Sequence, residues 1–154
     1  MRITLTLQEI KKMTSIWKQP ASVDILSEMH RNTVVEYLGI EFLEVGDDFI
    51  RGRIAVDHRT VQPMGVLQGG VSVVLAEALG SCGAALAVPC GTQIVGLDIN
   101  ANHLRGVDSG WVTGEARPLH LGRTTHVWEI KLRDERDRLV CVARLTVVVM
   151  QAAG

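Results

Sequence analysis

Apolar and polar positions change rhythm several times along this chain, and each rhythm predicts an element. From Ser22 onward, Ile25, Met29, Val34, Tyr37 and Leu38 roughly follow a helical period. That spacing predicts a helix with Ser22 as its N-cap and Gly39 as its stop. Residues 40–45 and 49–56 alternate apolar with polar around Gly46-Asp47-Asp48, the pattern of a β-hairpin. Residues 58–70 contain Pro63, Gly65, Gly69 and Gly70 and predict a loop, of a length that compact domains usually reserve for function. Residues 71–88 are apolar on nearly every side and predict a helix ended by Pro89-Cys90-Gly91. Four strands are predicted after it, at 93–105, 111–120, 124–133 and 139–150, joined by Gly-, Asp- and Ser-bearing turns. The first residues are mixed. Thr6-Leu7-Gln8-Glu9 can open a short helix and Pro20 closes the segment, so 1–20 reads as an N-terminal extension and 21–154 as one domain.

A helix apolar around most of its circumference must be covered on nearly all sides. A long antiparallel sheet curling around it does this, with strands on both sides of the helix in sequence. The expected class is therefore α+β with one central helix. The chain has 154 residues, 47% of them hydrophobic and 21% charged, enough to bury a core of that kind. The net charge of -1 argues against a nucleic-acid partner, which needs a clustered basic excess. The apolar run at 71–89 is interrupted by Glu77 and is rich in Ala and Gly, so it reads as a protein core helix and not as a membrane span. No signal peptide is recognisable. Cys82, Cys90 and Cys141 lack paired spacing, and two of them sit in apolar segments and read as packing residues, with a cytoplasmic setting as the default.

Glu77 is the anomaly, because the residues three and four away are Val73, Val74, Gly80 and Ser81 and the helix has no Lys or Arg. Burial there disfavours the charged form and is expensive, which suggests a use. The structural alternative is an amphipathic helix on which Glu77 faces water. Just upstream, Gln62-Pro63-Met64-Gly65-Val66-Leu67-Gln68-Gly69-Gly70 leads into the helix. A glycine pair at a helix N-terminus offers unpaired N–H groups to a carbonyl, and Gln62 and Gln68 add amides. Asn102-His103-Leu104-Arg105 and His120-Leu121-Gly122-Arg123-Thr124-Thr125 bring basic groups to strand ends, where they can bind phosphates or simply be solvated. The small residues of Gly80-Ser81-Cys82-Gly83-Ala84-Ala85 are expected to leave room beside Glu77 for an acyl group. The five histidines are dispersed, so no metal site is expected.

From about Leu38 to Val149 the chain resembles the hotdog-fold thioesterases of the PaaI-like group. The similarity is carried by Gln62-Pro63, by the run from Gly69 to Glu77, by the run from Val95 to His103, and by Pro118-Leu119-His120-Leu121-Gly122. Within that group it is similar to the branch acting on aryl-CoA thioesters. The resemblance implies a long central helix wrapped by a curved antiparallel sheet. It implies hydrolysis of acyl-CoA to the acid and CoA, with no cofactor beyond the CoA of the substrate. Glu77 matches the catalytic carboxylate, as nucleophile or as general base. The Gly69 N–H matches the donor to the carbonyl, with Gly70 beside it, and Gln62 a residue that positions water or substrate. Ser81 matches a residue lining the acyl site. Gly96, His103, Leu104, Arg105, Gly106, His120, Leu121, Gly122, Arg123, Thr124 and Thr125 match the surface that binds the CoA nucleotide. Members pair into homodimers, usually homotetramers, with Glu77 facing the 62–70 loop of a neighbouring subunit. One position departs from the pattern: Gln68 stands where the group has histidine, which predicts reduced hydrolysis. It also keeps open the reading of an acyl-CoA or acyl-carrier binding module.

Overall fold

The computed structural model describes residues 14–150, so the helix expected near Thr6 lies outside the described residues. Helix α1 (Val23–Met29) begins at Ser22, whose hydroxyl accepts from the Ile25 N–H at 3.3 Å. The helix expected to reach Gly39 is in fact two. Asn32 adopts φ 59° and Thr33 caps a second helix, α2 (Val34–Tyr37), accepting from the Val35 N–H. The Thr33 side chain bonds the backbone locally, its hydroxyl donating to the His30 carbonyl at 2.7 Å, and so competes with a continuous helix, while the Asn32 N–H is taken by the Glu36 carboxylate. Gly39, at φ 71°, ends α2 as expected.

Strands β1 (Glu41–Val45) and β2 (Ile50–Ala55) form the predicted hairpin, and helix α3 (Gly69–Leu86) follows. It starts two residues before the predicted position because the Gln68 side chain caps it, accepting from the Val71 N–H at 2.9 Å. Strands β3 (Gln93–His103), β4 (Trp111–Leu121), β5 (Thr125–Asp134) and β6 (Leu139–Met150) complete one antiparallel sheet in the order β1-β2-β4-β5-β6-β3. The first strand after the helix therefore crosses to the far edge and bonds only β6.

Alternation fixes which face turns inward. Val112 and Ala116 of β4, Trp128, Ile130 and Leu132 of β5, and Cys141, Ala143, Leu145 and Val147 of β6 are buried beneath Leu75, Leu79 and Leu86 of α3. The helix lies close to the sheet. A Cβ added at Gly83 would come within 2.6 Å of the Trp128 ring, and one at Gly114 within 2.8 Å of Leu79. Residues 16–19 are packed against this body. Trp17 stacks on Trp128 with centroids 6.3 Å apart, and its indole N–H donates to the Gly46 carbonyl. Gln19 donates to the carbonyls of Ala85 and Val88, satisfying the end of α3, where no basic residue stands. By length and hydropathy α3 would pass for a membrane span, yet half of it is wrapped by protein.

The expectation that α3 is covered on nearly all sides is not met within one chain. Six strands enclose only part of its circumference. Val73, Val74, Ala78, Ser81 and Ala85 are half-buried and Glu77 is exposed, forming one open stripe at helical spacing. Beside it runs β3, whose second edge has no partner among the described residues and whose Val95 and Leu97 are 52% and 67% exposed.

Candidate active site

The loop between β2 and α3 is built from its own side chains. The buried Thr60 hydroxyl donates to the Ala55 carbonyl at 2.8 Å and accepts from the Asp57 N–H at 2.9 Å. Arg59 pairs with Asp57 at 2.7 Å, and its guanidinium holds that carboxyl down at about 2. A turn follows, with Pro63 at its second position and Gly65 at φ 81°. The side-chain oxygen of Gln62 accepts from the Met64 N–H inside this turn, so its amide nitrogen is left to donate elsewhere. Bonds from the Leu67 N–H to the Val107 carbonyl and from the Gln68 N–H to the Thr60 carbonyl hang the loop across the start of α3.

Gln68 is committed to capping. Its oxygen bonds the Val71 N–H and lies over Gly70. The Gly69 and Gly70 N–H groups then have no hydrogen-bond partner among the described residues, as expected of a helix first turn. The ring of His103, at the end of β3, lies over Gly69. A methyl group there would meet Nε2 at 2.9 Å. Gln62, Gly69, Ser72, His103, Leu104, Arg105 and Gly106 line one cavity of about 400 Å³. Sequence reasoning gave Ser72 no role of its own, because the Gln68 cap that sets the helix start is not a residue type that marks a cap.

Glu77 stands elsewhere. Its carboxylate lies beside Gly96 of β3, with Oε1 3.2 Å from where a Cβ would be. Within one chain the expected burial of Glu77 is absent, and the water-facing alternative describes it. Ser81 is on the same open stripe one turn on. The expected space in the 80–85 segment is corrected. Gly80, Cys82, Gly83 and Ala84 face the sheet, where Leu145 and Trp128 fill the space above Gly80 and Gly83. Only Ser81 and Ala85 are left to line a pocket on the open side.

Gly69 and Glu77 are eight residues apart on one helix, roughly 12 Å along its axis. A carbonyl oxygen held ~3 Å from its donor and a carbon ~3 Å from the carboxylate cannot span that. Within one chain the candidate residues therefore fall into two separate groups. Gln62, Gly69, Gly70 and His103–Gly106 form one, and Glu77, Ser81 and Gly96 the other. The second group of expected CoA contacts, His120 to Thr125, turns the β4–β5 hairpin, where the Gly122 N–H bonds the Thr125 carbonyl. The sheet register puts that hairpin level with Gly96, since Thr125 faces Val148 and Gly96 faces Val147. It lies at the opposite end from His103, which faces Cys141. A cavity of about 680 Å³ opens beside the hairpin, lined by Lys18, Thr92, Arg123 and His126 among apolar residues. Desolvation holds the buried His126 below the usual imidazole range. Among the described residues no cluster of His, Cys, Asp or Glu is placed to hold a metal.

This arrangement has known counterparts. The profile of the thioesterase superfamily matches residues 64–141, and the chain belongs to that superfamily. It is an enzyme, a thioester hydrolase with the hotdog fold. A thioesterase structure from Haemophilus influenzae superposes with a TM-score of 0.87 at 48% identity, covering 90% of this chain and 97% of its own. A 1,4-dihydroxy-2-naphthoyl-CoA hydrolase of Escherichia coli K12 is 44% identical over 135 residues, 88% of this chain and 99% of its own. The proofreading thioesterase EntH of Cronobacter turicensis is also 44% identical over 135 residues, 88% of this chain and 98% of its own. Two variant structures of one Staphylococcus aureus protein, described as a thioesterase enzyme in one of them, are 31% and 32% identical. They cover 77% and 76% of this chain and 98% of their own, with TM-scores of 0.74 and 0.73. They carry single alanine substitutions of a glutamine and of a glutamate fifteen positions apart.

Proposed function

We propose that the protein hydrolyses aryl- or medium-acyl-CoA thioesters at a site shared by two copies of the chain. The observation that carries this is the pairing of neighbours along β3: Gly96 adjoins Glu77, and His103 adjoins Gly69. If two β3 edges join antiparallel about a two-fold axis, the Gly96 end of one chain meets the His103 end of the other. Glu77 is then carried toward the partner copy's oxyanion half-site, and the His120–Thr125 hairpin toward its His103–Gly106 segment. The open edge of β3 and the apolar stripe on α3 are surfaces that such a joint covers. Pairing of such dimers into tetramers is compatible with the same reading.

In the assembled site the Gly69 N–H receives the developing oxyanion, with Gly70 beside it. Glu77 either attacks the thioester carbon, giving a mixed anhydride that water then opens, or takes a proton from the attacking water. Gln62 directs its free amide nitrogen toward that water or the substrate. Gln62 and Glu77 are themselves fifteen residues apart, the spacing substituted in the staphylococcal relative, which supports their joint role. No cofactor is required beyond the CoA of the substrate. Three free cysteines suit a reducing, cytoplasmic compartment.

The test is thiol release from benzoyl-CoA, a hydroxynaphthoyl-CoA and hexanoyl-CoA by the parent and by Glu77→Ala. The expected result is turnover by the parent and a loss of at least ~10²-fold in the folded variant. Saturable binding without thiol release would instead describe an acyl-CoA or acyl-carrier binding module. Equal activity in the two proteins would remove Glu77 from the mechanism.

A further inference from the structure

We infer that His103 is a further catalytic residue, the general acid that protonates the departing thiolate. This rests on the thioesterase reading above but concerns the other half of the reaction. Two structural observations and the geometry of a thioester support this. The imidazole Nε2 lies against Gly69, whose N–H has no partner among the described residues and is the proposed donor to the carbonyl. The sulfur of a bound thioester is one bond from the carbon that bears that oxygen, so a group touching Gly69 is within reach of it. Ser72, only 2% exposed, lines the same cavity beside His103 and Gly69.

The remaining groups around this cavity do not suit a proton donor. Gln68 is tied to the Val71 N–H and, as an amide, does not exchange a proton near neutrality. Arg105 is permanently charged. Gln62 is held by its own turn. Of the side chains lining this cavity, the imidazole is the one built to hold a proton and give it up. Glu77, placed beside Gly96, approaches only from a second copy and from the side of the attacked carbon.

The step balances as follows. When the tetrahedral adduct collapses, the C–S bond breaks and its electron pair passes to sulfur. The protonated imidazole transfers the proton on Nε2 to that sulfur, giving neutral His103 and the free thiol. The water consumed in hydrolysis contributes oxygen to the acid product. Ionisation of that acid releases the proton that restores the imidazolium.

The experiment compares two benzoyl thioesters that both lack a nucleotide. The N-acetylcysteamine ester leaves as an alkyl thiolate, which needs a proton at neutral pH. The 2-nitro-5-thiobenzoate ester leaves as an aryl thiolate, which does not. The expected result for His103→Gln, at saturating substrate, is a kcat lowered by about 10²-fold on the alkyl ester and changed by less than about threefold on the aryl ester. Equal losses on both esters would overturn the proposal in favour of a structural role. Full activity on both, with a raised KM confined to benzoyl-CoA, would overturn it in favour of nucleotide binding. A parent protein that turns over none of the three esters would overturn both this proposal and the reading beneath it. A parent dependent on Glu77 but indifferent to His103 would overturn this proposal alone.

Discussion

Replacing Gly83 with alanine sets two effects of known size against each other. Alanine in a helix interior is favoured over glycine by about 1 kcal/mol. The new methyl, however, would sit 2.6 Å from two carbons of the Trp128 six-membered ring and 3.1 Å from a third. Comfortable carbon contacts lie near ~3.5–4.0 Å, so an overlap of about 1 Å must be absorbed. Overpacking of this kind costs about 1–3 kcal/mol. Trp128 has little freedom to retreat, because it is fully buried and stacked on Trp17, which is itself bonded to the Gly46 carbonyl at 2.6 Å. The upper part of that range therefore applies, leaving a net loss of about 1–2 kcal/mol and a fall in Tm of about 2–8 °C. Thermal unfolding followed by circular dichroism measures it. A double-mutant cycle isolates the contact. In a Trp128→Phe background the clashing ring carbons are gone, and Gly83→Ala should be neutral or stabilising there. The same preparation should show a lowered kcat on benzoyl-CoA, because Glu77 is borne by the displaced helix and a 1 Å misplacement can cost about 10²-fold. An unchanged or raised Tm in the single variant would refute the reasoning.

Two other outcomes are expected. His126 is 3% exposed and its pKa is depressed below the usual 6.5, by desolvation first and by His120 to a lesser degree, with a bond to the Gly122 carbonyl opposing them. The unfolded chain therefore takes up a proton that the folded protein refuses. Stability should be level above about pH 6.5 on this account and decline as the pH falls below it. Urea midpoints from pH 8 to pH 5 should show a shallower decline in His126→Gln, and parallel curves would exclude the histidine. Leu97→Lys on the open edge of β3 should keep the monomer fold while lowering both the sedimenting mass and kcat. A dimer of unchanged mass and activity would show that this edge is not the joint.

Much of the fold was legible because its signals are local. Ser22, Gly39 and the Gly46-Asp47-Asp48 turn act within a few residues, and β4 and β5 alternate over most of their length. The errors come from interactions that spacing does not encode. Asn32 and Thr33 break a helical period, Asn32 by its left-handed backbone and Thr33 because its side chain competes with the backbone. Gln68 lengthens α3 by reaching over Gly70 to the Val71 N–H. The small residues at 80–85 looked like room for substrate, yet at Gly80 and Gly83 the sheet uses that space to approach the helix. Glu77 was recognisable as an anomaly from its apolar neighbours, whereas its exposure depends on how far six strands wrap. The adjacency of His103 to Gly69 is set by the register of β3 on β6, which no local pattern of residues reveals.

The separation of Gly69 from Glu77 also bears on inheritance. In the paired arrangement, each site draws its carboxylate from one chain and its oxyanion donor from the other. A copy damaged at Glu77 and a copy damaged near Gly69 would then repair each other in part, since their hybrid holds one wholly intact site and one doubly broken one. Two copies with the same lesion hold none. Damage to such a gene would be masked or exposed according to which half-site each allele had lost.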